Sequence, residues 1–283
     1  MPAGPEIYNR PDSTTPLPQA LHLDGDPAEA TLTIAADWAQ GRTAFGGLPA
    51  AASARAMQQL VHAGTPDETR LLRSITVHFI APIPVGTASV RARLLREGRH
   101  MTQAAAEVWV GDRLALMANA AFGASRDSAL EVCGPSPTQV GRPDDLLAMP
   151  YIPGAMPAFT QHIDYRWAQP HFPFTGGDTH WVDGWCRPKA QLPIDAALVL
   201  MLIDAWPAPV LTMAHKPTSA SSVTWSVNFI DDHLQTPLPT GSWVQVAHRS
   251  PASKGGYADG TADVWAADGR LLARSRQLVT LFG

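Results

Sequence analysis

Apolar and polar residues alternate along much of the chain, which is the pattern of β-strands that bury one face. In residues 75–79 and 223–229 every second side chain is apolar, and the side chains between them are polar. Turn residues, chiefly Pro and Gly, separate such segments. Strands are therefore predicted at residues 31–35, 73–80, 87–96, 102–110, 114–122, 159–167, 179–186, 222–230, 242–249, 258–266 and 270–281.

Two segments depart from this alternation and predict helices. Residues 48–61 are rich in Ala, the best helix former, and follow a Gly pair. The other helix opens at Pro193 and runs to Trp206, where Pro207 closes it. It is apolar on nearly every side, which is typical of a buried central helix. We therefore predict an α+β fold in which antiparallel sheet wraps around a central helix.

The two halves of the chain resemble each other. Residues 75–79 have a counterpart at 225–229, and the Ala-acid-Val-Trp segment at 106–109 has one at 262–265, in the same order. One such match would arise by chance between amphipathic hairpins, but several in order indicate a duplicated unit. Prolines are dense in the first 18 residues and between 135 and 157. The predicted organisation is a poorly ordered segment at 1–18, an N-terminal unit at 19–126, a Pro-rich linker at 127–158 and a C-terminal unit at 159–283.

Composition and charge exclude several classes of function. The net charge is −4 and no basic run exists, so a nucleic-acid partner is not expected. The two cysteines, Cys133 and Cys186, make no disulfide framework and favour a reducing, cytoplasmic location. The longest apolar run, residues 196–203, is far shorter than the ~20 residues of a membrane span, and the N-terminus lacks a signal-peptide pattern. Only 16% of residues are charged, against ~25% in a typical soluble domain, which favours a homo-oligomer that hides part of its surface.

The carboxylates of the apolar helix are the main candidates for chemistry. Asp195 lies in its first turn, where capping is the simplest interpretation. Asp204 lies in the last turn, where burial and the helix dipole should both raise its pKa. It is then either a general base or a structural partner of a buried Arg or a turn, and the sequence leaves both open. The first helix has no carboxylate, and alignment of the final hairpins sets Gln277 opposite Ala120 or a small neighbour.

Motifs of other enzyme classes are missing from the sequence. It has no nucleophile elbow, phosphate-binding Gly loop, dinucleotide fingerprint or His-Glu-x-x-His. His162, His171 and His180 are spaced too widely to place a metal-ligand pair on one element. We therefore predict neither a metal nor an organic cofactor.

Several motifs resemble a known family. Arg42-Thr43-Ala44-Phe45-Gly46-Gly47, the Ala-rich helix after it, and Ser74-Ile75-Thr76-Val77-His78-Phe79-Ile80-Ala81-Pro82 are similar to the acyl-CoA thioesterase II (TesB-like) family. The resemblance runs from about residue 28 to the C-terminus and is weakest across 125–158. It implies a tandem (double) hotdog fold.

The resemblance also implies an activity and a set of residues. That family hydrolyses acyl-CoA thioesters without a covalent intermediate, using an Asp, a Thr or Ser, and a Gln to hold the attacking water. These positions fall on Asp204, on Ser222 or Thr224, and on Gln277. Phe45, Gly46, Gly47 and His78 are the corresponding candidates for substrate or oxyanion binding, and acyl-CoA is the expected partner.

The chain departs from the family at one place, which keeps two alternatives open. The family often has Asp-His where this chain has Thr224-Trp225. A non-catalytic double hotdog that binds acyl groups or lipids is one alternative. A hotdog dehydratase or hydratase is the other, although the Gly-Asp-x-Asn-Pro-x-His pattern typical of those enzymes is not found here.

Overall fold

The computed structural model describes residues 14–65, 68–230, 234 and 236–282. Residues 1–13, the larger part of the segment predicted to be poorly ordered, lie outside the described residues. The end of that segment differs from the prediction, because Leu17 and Pro18 begin a short helix and Leu17 is buried. The burial of Leu17 anchors this helix to the core.

The structure contains three α-helices and fifteen strands within the described residues. The helices are α1 (Leu17–Ala20), α2 (Gly47–Gly64) and α3 (Ala196–Asp204). The strands are β1 (Leu23–Asp26), β2 (Glu29–Ile34), β3 (Ala39–Gln40), β4 (Thr43–Ala44), β5 (Leu71–Phe79), β6 (Gly86–Glu97), β7 (Met101–Val110), β8 (Arg113–Gly123), β9 (Leu147–Ala148), β10 (Ile163–Trp167), β11 (Trp181–Pro188), β12 (Ser219–Asn228), β13 (Val244–Lys254), β14 (Tyr257–Ala266) and β15 (Leu271–Phe282). Both long helices and most strands fall where the hydrophobic pattern predicts them. The strand predicted at 159–167 is shorter, because Pro157 precedes a 3₁₀ turn at Ala158–His162.

Thirteen strands form a single antiparallel sheet in the order β1-β2-β6-β7-β8-β5-β12-β15-β14-β13-β11-β10-β9. The first six belong to the N-terminal half, where β5, β6, β7 and β8 pack on α2, and the other seven belong to the C-terminal half, where β11 and β15 pack on α3. The two halves meet where β5 pairs with β12 and where α2 contacts α3. The predicted α+β class is therefore confirmed: antiparallel sheet encloses two central helices.

The strand register is symmetric about the junction between the halves. Thr76 pairs with Ser226, and these residues are themselves equivalent positions 150 residues apart. Each of the two junction strands has one β-bulge, between Leu72 and Ser74 in β5 and between Ser222 and Thr224 in β12. The bulges again lie 150 residues apart, so the repeated sequence segments occupy equivalent places in the structure.

The Pro-rich connection crosses the outer face of the C-terminal sheet. A row of side chains on β14, β13 and β11, which are neighbours in register, donates hydrogen bonds to its backbone carbonyls. The bonds run from Trp265 Nε1 to Pro135 O (2.9 Å), from Gln245 Nε2 to Thr138 O (2.8 Å) and from Trp185 Nε1 to Gly141 O (3.0 Å). The acceptors are every third residue, which matches the three-residue turn of a polyproline II segment. We call this stretch, residues 124–142, the strap. It covers β11, β13 and β14, which would otherwise be exposed.

One segment of the described chain, residues 196–213, is long and apolar enough to cross a membrane by composition alone. It consists of α3, a turn and a 3₁₀ turn, and 67% of it is buried inside the protein. That degree of burial is typical of a core helix. Both cysteines are free; Cys186 is buried and Cys133 is exposed.

Candidate active site

The C-terminal end of α3 meets the N-terminal end of α2, and this contact places Asp204. Asp204 is the last residue of α3, and Gly46 is the residue that precedes α2. A Cβ atom at Gly46 would lie 3.0 Å from Asp204 Oδ2 and 3.0 Å from Phe79 Cε1. A side chain at position 46 would therefore crowd the carboxylate, so glycine permits this approach. The backbone N–H of Gly47 hydrogen-bonds to the Asp204 carboxylate.

Gln277 on β15 connects Asp204 to Ser222 on β12. Its Nε2 atom donates to Asp204 Oδ1 at 3.0 Å and to Ser222 Oγ at 2.7 Å. Because the two N–H bonds of an amide diverge, the two acceptor oxygens lie roughly 5 Å apart, a gap that one water molecule can bridge. Both hydrogens of the Gln277 amide are used, whereas the Ser222 hydroxyl keeps its own hydrogen for another acceptor.

The environment of Asp204 makes its carboxylate a weak acid. Burial raises the pKa of Asp204 to about 6, while the hydrogen bonds from Gln277 and Gly47 oppose that rise. Its partners are an amide and a backbone N–H, and no ion pair of the described residues involves Asp204. The interpretation of Asp204 as the partner of a buried Arg is therefore wrong. The raised pKa predicted from its place in the helix is confirmed, with burial as the main cause.

A β-bulge separates the two candidate hydroxyl residues. The register of β12 skips Val223, so Ser222 pairs with Val279 and Thr224 pairs with Leu278. Gln277 pairs with Trp225, and both point toward the helices because Trp225 is buried. The bulge turns Ser222 to this inner face as well, whereas Thr224 pairs with the exposed His78 on the outer face. Strict alternation would place Ser222 and Thr224 on one face of the strand, but the inserted residue puts them on opposite faces.

Two further candidate residues also lie away from Asp204. His78 faces outward beside Thr224, so the structure does not bring it to the cluster. Phe45 is fully buried, stacks on Phe159 with ring centroids 3.9 Å apart, and packs under Gly47. Phe45 therefore shapes the start of α2 but does not line the site. The cluster itself consists of Asp204, Ser222, Gln277 and the Gly46-Gly47 backbone.

A small recess extends from Gln277 along the inner face of the C-terminal sheet, and sequence reasoning missed it. Its volume is about 10 Å³, and its lining includes Ser250, Ser275 and His248. Burial lowers the pKa of His248 to about 4, so the ring is neutral. The recess exists because β14 presents the small side chains of Ala258, Gly260 and Ala262 at alternate positions. The alternation of small residues at 258, 260 and 262 is the sequence feature that could have predicted this recess. Within the described ranges, no group of three His, Cys, Asp or Glu side chains is arranged to hold a metal ion.

Solved structures with the same architecture define the class of protein. A protein from Alicyclobacillus acidocaldarius with a hotdog fold is 23% identical and covers 94% of this chain and 97% of its own, with a TM-score of 0.81. The acyl-CoA thioesterase II TesB2 of Mycobacterium marinum is 16% identical, with coverages of 94% and 98% and a TM-score of 0.71. The tesB protein of Mycobacterium avium subsp. paratuberculosis is 17% identical, with coverages of 93% and 97% and a TM-score of 0.72. The protein thus has a hotdog fold, with an acid, an amide and a hydroxyl gathered where its two central helices meet.

Family comparisons then identify the chain more narrowly. The acyl-CoA thioesterase N-terminal domain matches residues 34–123, and the acyl-CoA thioesterase C-terminal domain matches residues 143–281. Together these matches span most of the chain, which therefore belongs to the acyl-CoA thioesterase family. No curated protein sequence matches the chain.

Proposed function

We propose that the protein is a tandem hotdog enzyme that hydrolyses an acyl-CoA thioester to a free acid and CoA. The observation that carries this proposal is the contact of Gln277 with both Asp204 and Ser222, in a chain that belongs to the acyl-CoA thioesterase family. The tandem arrangement is supported by the symmetric register about Thr76 and Ser226, with one helix and one part of the sheet in each half.

The proposed base is Asp204. Its pKa of about 6 leaves the carboxylate ionised at neutral pH, yet basic enough to accept a proton from water. A water between Asp204 and Ser222 would donate to the carboxylate and accept from the Ser222 hydroxyl. Its remaining lone pair then attacks the thioester carbonyl carbon. Gln277 holds both flanking oxygens in place and so reduces the entropic part of the barrier.

The reaction balances without a covalent enzyme intermediate. The water oxygen forms a bond to the carbonyl carbon while its proton moves to Asp204. The tetrahedral intermediate collapses as the carbon–sulfur bond breaks, and the proton on Asp204 passes to the departing CoA sulfur. A carboxylic acid, a thiol and the original carboxylate remain.

The start of α2 is the proposed place for the developing oxyanion. The Gly47 N–H is already committed to Asp204, so the Gly46 N–H and the positive end of the helix dipole are the candidates there. The two glycines therefore have different proposed roles. Gly47 helps to position the Asp204 carboxylate, and Gly46, which has no side chain, leaves room for that carboxylate beside the start of α2. Thr224 and His78 take no part in this proposal because both face outward.

The test is an assay of hydrolysis on acyl-CoAs whose acyl chains have two to sixteen carbons. The reaction is monitored through the loss of thioester absorbance. Asp204→Asn keeps the shape of the side chain and should lower turnover by roughly 10²–10⁴-fold. Thr224→Ala is the matched control and should retain turnover. If wild type binds acyl-CoA but hydrolyses none, the non-catalytic binding alternative replaces this proposal. If Asp204→Asn hydrolyses as fast as wild type, Asp204 is not the base.

A further inference from the structure

A second cavity opens at the opposite end of the helix pair from Asp204. Its volume is about 530 Å³, within the range of roughly 300–1,000 Å³ that is typical of small-molecule sites. One part of its wall is apolar and includes Leu72 and Phe229. Another part carries Arg55, Gln59 and His62 from α2. The cavity is therefore amphipathic, with a polar wall that contains the Arg55 guanidinium and the Asp195 carboxylate beside an apolar one.

This second cavity is the symmetry mate of the proposed catalytic site. Arg55 is nine residues after Gly46, the N-cap of α2. Asp204 is likewise nine residues after Asp195, the N-cap of α3. The other equivalences follow from the two caps and from the spacing of 150 residues between the halves. The equivalent pairs are Asp204 and Arg55, Gly46 and Asp195, Phe79 and Phe229, and Ser222 and Leu72. The second member of each pair, that is Arg55, Asp195, Phe229 and Leu72, lines the cavity.

The chemistry at the second cavity is the reverse of that at the first. Arg55 stands in place of the carboxylate, Leu72 in place of the hydroxyl, and Ala120, which pairs with Ile75, in place of Gln277. None of these three groups accepts a proton from water at neutral pH, so the counterparts of Asp204, Ser222 and Gln277 cannot carry out the proposed hydrolysis here. A guanidinium beside an apolar wall instead matches an anion that has an apolar body.

Arg55 has capacity to bind such an anion. Its Nη2 atom donates to Asp195 Oδ2 at 3.1 Å, and the hydrogen bonds of the described residues use no other nitrogen of this guanidinium. Asp195 is held at the same time as the N-cap of α3, where its Oδ1 accepts from the Leu198 N–H at 2.8 Å. The negative charge of Asp195 is therefore offset by the helix end and by Arg55. Arg70, which also lines the cavity, is already paired with Glu68.

We propose that the second cavity binds a carboxylate carried on an apolar chain, with the carboxylate on Arg55 and the chain against Leu72 and Phe229. A medium-chain carboxylic acid fits this description, and it is the class of molecule that the proposed hydrolysis would release. The binding itself does not depend on hydrolysis, because the residues of this cavity are separate from Asp204, Ser222 and Gln277.

The test is isothermal titration of the purified full-length protein with sodium decanoate. Wild type should bind decanoate saturably, and 1-decanol, which lacks the carboxylate, should bind about tenfold or more weakly. Arg55→Gln should weaken decanoate binding by about tenfold, whereas Arg55→Lys, which keeps the charge, should stay within a few-fold of wild type. Asp204→Asn should bind decanoate as wild type does, since it alters only the other site.

Four results would overturn the proposal. They are no saturable binding by wild type, equal binding of decanol and decanoate, unchanged affinity in Arg55→Gln, and a loss of affinity in Asp204→Asn instead of Arg55→Gln. The comparison of decanol with decanoate uses wild type alone, so equal binding of the two compounds would overturn the proposal even where Arg55→Gln fails to fold. Failure of acyl-CoA hydrolysis would leave all these titrations unaffected, so the two proposals fail separately.

Discussion

Replacing Asp204 with Asn should make the protein increasingly stable relative to wild type as the pH rises. Burial raises the pKa of Asp204 from 3.8 to about 6 in the folded state. The folded protein therefore binds this proton more tightly than the unfolded chain, and ionising the carboxylate costs stability. The stability from this group is fully present below pH 3.8 and is lost progressively as the pH rises through about 6.

The size of the effect follows from the pKa shift. A shift of about two pKa units corresponds to about 3 kcal/mol between the protonated and ionised forms. Asn has no charge to bury, so it avoids this cost. It also brings an N–H₂ group near the Gly47 N–H, which can cost ~1–3 kcal/mol for a lost hydrogen bond, but that cost does not vary with pH. The pH dependence of the difference is therefore the informative quantity.

Urea unfolding of wild type and Asp204→Asn at a series of pH values between 4 and 8 measures this difference. We expect the free energy of unfolding of the variant to rise relative to wild type by up to about 3 kcal/mol across that range, with the midpoint near pH 5–6. All other titrating groups are common to both proteins and cancel. A difference that stays constant with pH, or that falls as the pH rises, would refute the assignment of a raised pKa to Asp204.

Three further predictions concern residues around this site and the strap. Ser222→Ala should lower kcat roughly tenfold because the hydroxyl is lost, whereas Thr224→Ala should leave kcat unchanged. Similar losses of kcat in both variants would contradict the placement of Ser222 on the inner face of the sheet and Thr224 on the outer face. Gly46→Ala should reduce turnover and shift its pH profile, because the added methyl crowds the α3 carboxylate; a wild-type profile would show that the site has more room. Gln245→Ala should lower the free energy of unfolding by about 1–3 kcal/mol and speed proteolysis within residues 124–142, as measured by urea titration and limited digestion; unchanged cleavage would argue against the strap contacts.

The secondary structure was largely predictable because alternation and helix closure are local signals. Ile75 and Val77 are buried and Phe79 is partly buried, on the alternate positions that the pattern requires, and Pro193 and Pro207 bracket α3. Asp204 was found for the same reason, since a lone carboxylate in an apolar helix is conspicuous in the sequence.

Other features depend on contacts between distant segments, and those are not written in any local pattern. The bulge at Val223 turns Ser222 toward Gln277, although strict alternation groups it with Thr224. The approach of Asp204 to Gly46 depends on how the two halves dock. Phe45 sits in the motif next to the Gly pair, yet its ring packs on Phe159 and not toward the site.

The pH dependence of kcat/KM for acyl-CoA hydrolysis tests the central claim most directly. If Asp204 is the base, kcat/KM should rise with pH and level off above an inflection near the Asp204 pKa of about 6. Asp204→Asn should retain only a small residual rate without that inflection. The account would be contradicted if no acyl-CoA were hydrolysed at any pH, or if the variant kept both the rate and the inflection of wild type.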